Sequence, residues 1–290
     1  MIEGLLRRLA RWPLALLHRI GDVGGWLAYA LSPSYRGRFI ANARQAGFDV
    51  RTVRPAISAA GRLLFEAPLL WMRPADASIL PRVQWSGVER IDAAHARGKG
   101  IVFLTPHLGC FEVTAQAYAE RYGAAYGPIT VLYRPARKPW LRPLVAHSRN
   151  RANLVAVPAT LAGVRQMIRA LRRGEAVGLL PDQVPPDGLG VWAPFFGKPA
   201  YTMTLAARLV QQTGAAPLVA WGERLEAGLG WIVHVGAFDE PLPDDPAAQA
   251  ESAAAVNRAM EALIRRRPQQ YLWGYHRYKT PSARAPGADG

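Results

Sequence analysis

A single cysteine, Cys110, stands among 290 residues, which excludes an intrachain disulfide framework and any cysteine-rich metal cluster. Acidic residues are scarce as well: 21 Asp and Glu against 36 Lys and Arg give a formal charge of +15. An anionic partner is expected, and nucleic acid, a membrane surface and a phosphorylated substrate all fit that description. Zinc-finger spacings and aromatic RNA-binding signatures are missing, and the arginines are spread along several helical segments, so nucleic acid is the weakest of the three. Long uninterrupted apolar runs are missing too. The most apolar stretch, residues 5–31, is broken by Arg11, His18, Arg19 and Asp22 and weakened by Pro13 and Gly24-Gly25, so a clean spanning helix is not expected. No small-residue cleavage site follows it, which argues against a cleaved signal peptide.

What the chain does have is apolar mass. Half of its residues are hydrophobic, enough to bury a sizeable core. In the N-terminal stretch, Trp12, Trp26 and Tyr29 accompany arginines that snorkel, the pattern of a helix lying in the lipid headgroup region. A buried amphipathic helix packed on the domain is the competing reading. Residues 36–72 read as one or two helices, and Pro74 and Pro81 end that pattern.

From Val83 onward, short apolar runs alternate with arginine-bearing amphipathic segments, as strands do with crossover helices. Strands are predicted near 83–85, 100–105, 129–133, 154–157, 176–180, 216–221 and 231–235, with helices near 88–97, 110–122, 139–151, 160–173 and 202–213. The short connection from Trp221 to Trp231 suits a hairpin, so the predicted fold is α/β with a mixed central sheet flanked by helices. A last helix is predicted over 246–267. The chain divides into an N-terminal membrane-associating helical segment (1–35), one catalytic domain (36–281) and a tail disordered by composition (282–290).

The stretch TPHLGCFEV, Thr105 to Val113, carries the strongest local signal. His107 stands where a strand ends, the place where open α/β sheets bind ligands. On one continuous helix His107 and Glu112 would point about 140° apart. With His107 on the strand end and Glu112 in the first helical turn, the carboxylate can accept a hydrogen bond from one imidazole nitrogen and leave the other free as a base. Metal binding fits poorly, because a helical two-ligand site needs an i,i+4 spacing and Cys110 has no partner thiol. A Cys110 nucleophile and a merely structural junction histidine stay open at this point.

Four more blocks follow in order: VLYRP (131–135), LRRGEAVGLLPDQ (171–183), the run from Ala193 to Trp221 beginning APFFGKP, and QYLWGYHRYKTP (270–281). Together with TPHLGCFEV they resemble the bacterial lipid A biosynthesis acyltransferases of the lysophospholipid acyltransferase superfamily, over roughly residues 5–281. The resemblance implies a glycerol-3-phosphate-acyltransferase-like fold. It also implies transfer of a fatty acyl group from acyl carrier protein, or acyl coenzyme A, to a hydroxyl of a lipid A precursor, with no metal and no bound cofactor.

His107 would be the base and Glu112 its orienting acid. Many members carry asparagine where this chain has Cys110, so the thiol is not implied in the chemistry. Arg134 would bind phosphate or stabilise oxyanion charge, and Asp182, beside Gln183, would position Arg134 or an acceptor hydroxyl. Phe195 and Phe196 would line an acyl channel or pack in the core. Arg277 and Lys279 would grip glycolipid phosphate. The implied location is the cytoplasmic face of a bacterial inner membrane, peripheral or singly anchored, on an anionic surface. Two alternatives accompany this reading: acylation of another membrane lipid, such as a lysophospholipid, ornithine lipid or mannosylated phosphoinositide, and a non-enzymatic basic binding protein.

Overall fold

The computed structural model describes residues 2–74, 76–133 and 151–282. Arg134, most of the helix predicted over 139–151 and most of the predicted tail lie outside the described residues. The elements run α1 (Ile2–Leu9), α2 (Leu14–Leu31), α3 (Pro33–Gln45), α4 (Val50–Val53), α5 (Pro55–Met72), β1 (Val83–Ser86), α6 (Glu89–Ala96), β2 (Ile101–Leu104), α7 (Phe111–Tyr126), β3 (Ile129–Tyr133) and β4 (Leu154–Pro158). There follow α8 (Leu161–Arg172), β5 (Ala176–Leu179), β6 (Gly190–Phe195), β7 (Lys198–Met203), α9 (Leu205–Thr213), β8 (Ala216–Arg224), β9 (Trp231–Ala237) and α10 (Gln249–Arg266).

The main sheet has the order β1-β9-β8-β2-β5-β3-β4. Every pairing in it is parallel except β8 with β9, the predicted hairpin, which makes the sheet mixed. Its central strands are buried on both faces, and alternate residues feed two cores as the pleat requires. Val102, Leu104, Val177 and Leu179 enter the core shared with α8, α9 and α10, while Ile101, Phe103, Ala176 and Val233 enter the one shared with α6 and α7.

A separate β6–β7 hairpin turns at Phe196-Gly197. The sequence predicts no strand over its residues. Phe195 and Phe196 are buried in the core there and do not line the functional cavity described below.

The N-terminal stretch forms two helices, and Pro13 stands at the boundary as the residue before α2. α2 lies against α5 at very close range. A Cβ built on Gly61 would come within 1.9 Å of the Gly21 carbonyl oxygen, and one on Gly25 within 2.2 Å of the Ile57 carbonyl oxygen. The glycines that weaken α2 as an isolated helix are thus what lets its backbone reach α5. His18 reinforces the contact by bonding Glu66 at 2.7 Å, and Glu66 also accepts from Arg224 Nε at 2.8 Å and from Trp231 Nε1 at 3.2 Å. The opposite side of α2 leaves Leu16, Val23, Leu27 and Leu31 exposed. No described helix is long and apolar enough to cross a membrane.

Candidate active site

β2 and β5 are parallel neighbours in register, Leu104 opposite Leu179. Beyond these ends the chain leaves the sheet in two loops, and each carries one reactive side chain. His107 Nδ1 lies 2.7 Å from Asp182 Oδ1, and the backbone N–H of His107 donates to Asp182 Oδ2 at 2.9 Å. Both oxygens of one carboxylate therefore hold the same residue. Asp182 is 1% exposed. Burial alone would raise its pKa, but the neighbouring imidazole, the two hydrogen bonds from His107 and the charge of Arg277 outweigh it, and the carboxyl titrates below its ordinary value.

An ionised carboxylate only accepts, so the Nδ1 hydrogen points at Asp182 and Nε2 carries the lone pair. The Gln183 amide, 2.9 Å from Nε2, is the donor that this tautomer requires. Phe111 stacks edge-on to the imidazole at 4.7 Å between ring centroids and limits its rotation.

This arrangement changes the expected pairing. Both ring nitrogens of His107 have partners, and neither is Glu112. Glu112 stands in the first turn of α7, favoured there by the helix dipole, and accepts from Trp71 Nε1 at 3.4 Å. It faces the same cavity as His107 and Gln183.

That cavity holds about 970 Å³ and is mostly apolar away from these three groups, with Trp85, Phe103, Val131, Ile168 and Met203 among its walls. Its size is at the upper end of typical ligand sites. Gly178 on β5 lies between Phe103 and Val131 in register and adds no side chain to the cavity floor.

The His107 loop is held from behind by a segment far downstream. Gly109 N donates to Gln270 O at 3.0 Å and Leu272 N to His107 O at 3.1 Å, a short antiparallel bridge across Leu108 and Tyr271. Gly109 has φ +60°, and a Cβ there would meet the Gly222 carbonyl oxygen at 2.0 Å, so only glycine fits between the loop and β8. The same segment reaches the second loop: Val184 N donates to Tyr275 Oη at 3.0 Å. The histidine and aspartate loops thus share one brace, which nothing in the local sequence announced.

Arg277 belongs to this brace and not to a surface that meets phosphate. It is 2% exposed and donates to the Tyr201 carbonyl oxygen and to Thr202 Oγ1, both at 2.7 Å. Lys279 sits with its ammonium 5.8 Å from the Tyr275 ring centroid, and neither basic residue lines the cavity. Cys110 is fully buried and outside the cavity lining. Burial, with the nearby Glu66 carboxylate, pushes its thiol well above the ordinary value, so it stays protonated and packs as a small hydrophobe.

The family model described as bacterial lipid A biosynthesis acyltransferase matches residues 4–280. The chain is 26% identical to the lipid A biosynthesis palmitoleoyltransferase of Escherichia coli over 221 residues, covering 76% of this chain and 69% of that protein. It is 29% identical to the lauroyltransferase of the same organism over 223 residues, with the same two coverages. A lipid A biosynthesis acyltransferase of Haemophilus influenzae is 27% identical over 289 residues, 94% of this chain and 88% of that one.

Proposed function

We propose, for a chain that belongs to the bacterial lipid A biosynthesis acyltransferase family and is therefore an acyltransferase, that His107 and Asp182 form its base and that the acyl donor is a thioester on acyl carrier protein. The observation that carries the reading is the locked tautomer: Asp182 holds Nδ1, and Nε2 opens on an apolar cavity of acyl-chain size. An acceptor hydroxyl taking the place of Gln183 at Nε2 gives up its proton to the imidazole while its oxygen attacks the thioester carbonyl. The C–S bond then breaks, and the departing thiolate takes the proton from the imidazolium. Asp182 stabilises that imidazolium and is itself not protonated. A base so placed contributes about 10²- to 10⁴-fold in rate.

Glu112 is the acceptor-side carboxylate in this reading. It receives a sugar hydroxyl, and its charge favours the imidazolium. The Gln183 amide, once displaced, donates to the developing oxyanion, a role it shares with Arg134. The acceptor is a hydroxyl of a phosphorylated glucosamine lipid.

The exposed stripe Leu16, Val23, Leu27 and Leu31, with Trp12 beside it and Arg11 and Arg19 near by, is the surface that lies on the bilayer at the cytoplasmic face of the inner membrane. The test is direct: the purified chain, given acyl carrier protein thioester and a lipid A precursor, adds one acyl mass to the precursor, and His107→Ala abolishes the gain with the fold intact. Persistent transfer by His107→Ala, or acylation of a lysophospholipid in place of the glucosamine lipid, overturns the reading.

A further inference from the structure

Several exposed arginines of this chain have acidic partners: Arg173 with Glu175, Arg258 with Glu240, Arg265 with Glu261 and Arg267 with Glu223. Others, such as Arg36, Arg82 and Arg97, have none among the described residues, and the α8–α9 surface gathers several of that second kind beside the cavity. α8 (LAGVRQMIRALR) and α9 (LAARLVQQT) contact each other and contain no acidic residue.

α8 buries Gly163, Met167, Ala170 and Leu171, which turns Arg165, Arg169 and Arg172 outward at the i, i+4, i+7 positions of one face. Arg208 is exposed on α9. None of these four makes an ion pair or a side-chain hydrogen bond among the described residues. Two of them, Arg165 and Arg208, also line the cavity that holds His107, so the basic surface begins at the cavity rim and runs outward along α8.

The helix dipole accounts for Arg169 and Arg172, which fall in the last turn. It does not account for Arg165 in mid-helix or for Arg208. Seven residues of helix span about 10 Å, so Arg172 stands too far from the rim to share one small anion with Arg165. The partner is therefore extended. The exposed face of α8 offers little apolar surface besides Leu161 at its start, unlike the leucine stripe of α2, and so it suits an acidic protein surface better than a bilayer.

Resting on the donor reading above, we infer that the α8–α9 surface docks an acidic carrier protein, with Arg169 and Arg172 gripping its acidic helix while the thioester arm enters between Arg165 and Arg208. Opposite-signed surfaces of this kind act mainly on encounter rate and are screened by salt.

The experiment compares the full chain with its Arg169→Glu/Arg172→Glu variant, neither position being part of the cavity lining. The donors are one acyl group carried on acyl carrier protein, on coenzyme A and on bare pantetheine. Thermal unfolding checks the fold, and Arg169→Gln/Arg172→Gln replaces the reversal if that does not fold. The expected result is a fall of at least about tenfold in kcat/KM for the carrier-protein donor, carried by KM and accompanied by loss of its salt dependence, with the pantetheine donor unchanged.

Unchanged carrier-protein kinetics overturn the inference, as does an equal fall for carrier protein and coenzyme A, which marks a phosphate site. Loss of binding to phosphatidylglycerol vesicles with carrier-protein kinetics intact assigns the surface to the membrane and also overturns it. Wild-type transfer from coenzyme A alone overturns the donor reading itself, a result distinct from a variant with no effect.

Discussion

Leu104 and Leu179 face each other across β2 and β5, and three residues beyond each come His107 and Asp182, 2.7 Å apart at Nδ1 and Oδ1. Equal offsets from a shared register line bring the histidine and its acid together. The pair is a product of strand adjacency, and the helix that follows β2 contributes Glu112 to the same cavity from another side.

Asp182→Asn keeps the shape of the site but removes the acceptor that fixes the tautomer. Single-turnover acyl transfer by this variant is expected to fall about 10²- to 10⁴-fold. Glu112→Gln is expected to raise KM for the acceptor more than it lowers kcat. A variant ranking in which Asp182→Asn retains near wild-type turnover would return the orienting role to Glu112.

The pH dependence of stability follows from the depressed Asp182 carboxyl. A folded pKa below the unfolded value of about 3.9 gives stability that is fully present above that value and is lost as pH falls through the folded one. The Tm difference between wild type and Asp182→Asn should therefore hold level from pH 7 to about pH 4 and shrink as pH falls further toward about pH 2. Thermal unfolding at half-unit pH steps measures it, and a constant difference across the range contradicts the assignment.

Glu66 joins the N-terminal helices to the sheet through His18, Arg224 and Trp231. Its burial raises the carboxyl pKa and the charges of Arg224 and His18 lower it, with the lowering dominant. Glu66→Ala leaves Arg224, 4% exposed, without its counter-charge, and the expected loss is about 3–5 kcal/mol by denaturant unfolding. A loss under about 1 kcal/mol would mean that water or another acid takes over the arginine.

Gly61→Ala tests the helix crossing. The added methyl meets the Gly21 carbonyl oxygen at 1.9 Å, so α2 must move away from α5. Destabilisation of about 1–3 kcal/mol is expected, against the small gain that the same change gives in an unobstructed helix.

Cys110→Ser is expected to retain acyl transfer, because the thiol is protonated, buried and outside the cavity. In the native wild type a thiol reagent should label it only at the rate of unfolding. Fast labelling coupled to loss of activity would reinstate the cysteine as nucleophile.

Much of the fold was readable because the signals are local. Each predicted strand from Val83 to Val235 is a short apolar run bounded by turn residues, and each has a counterpart within a few residues. The β6–β7 hairpin was not readable: Gly190–Met203 contains Pro194 and Pro199 and lacks clean alternation, and its stability comes from α10 packing across it.

At the site, His107 was legible from its place at a strand end. Its partner was not, since Asp182 meets it only through the adjacency of β2 and β5, and strand order is not written in either strand. Arg277 illustrates the opposite error. Beside Tyr278 and Lys279 it reads as part of a basic cluster that grips phosphate, whereas its side chain turns into the protein and its guanidinium anchors β7.

The bridge between Gly109 and Leu272 carries a consequence for biosynthesis. The backbone partners of the His107 loop come from Gln270 and Leu272, which leave the ribosome long after the sheet that bears His107. A nascent chain can assemble its central strands and its cavity early, yet the loop takes its working conformation only when that downstream segment emerges. A chain stalled or cut before Gln270 should therefore lack both the backbone partners of the His107 loop and the core side chains Tyr271 and Trp273.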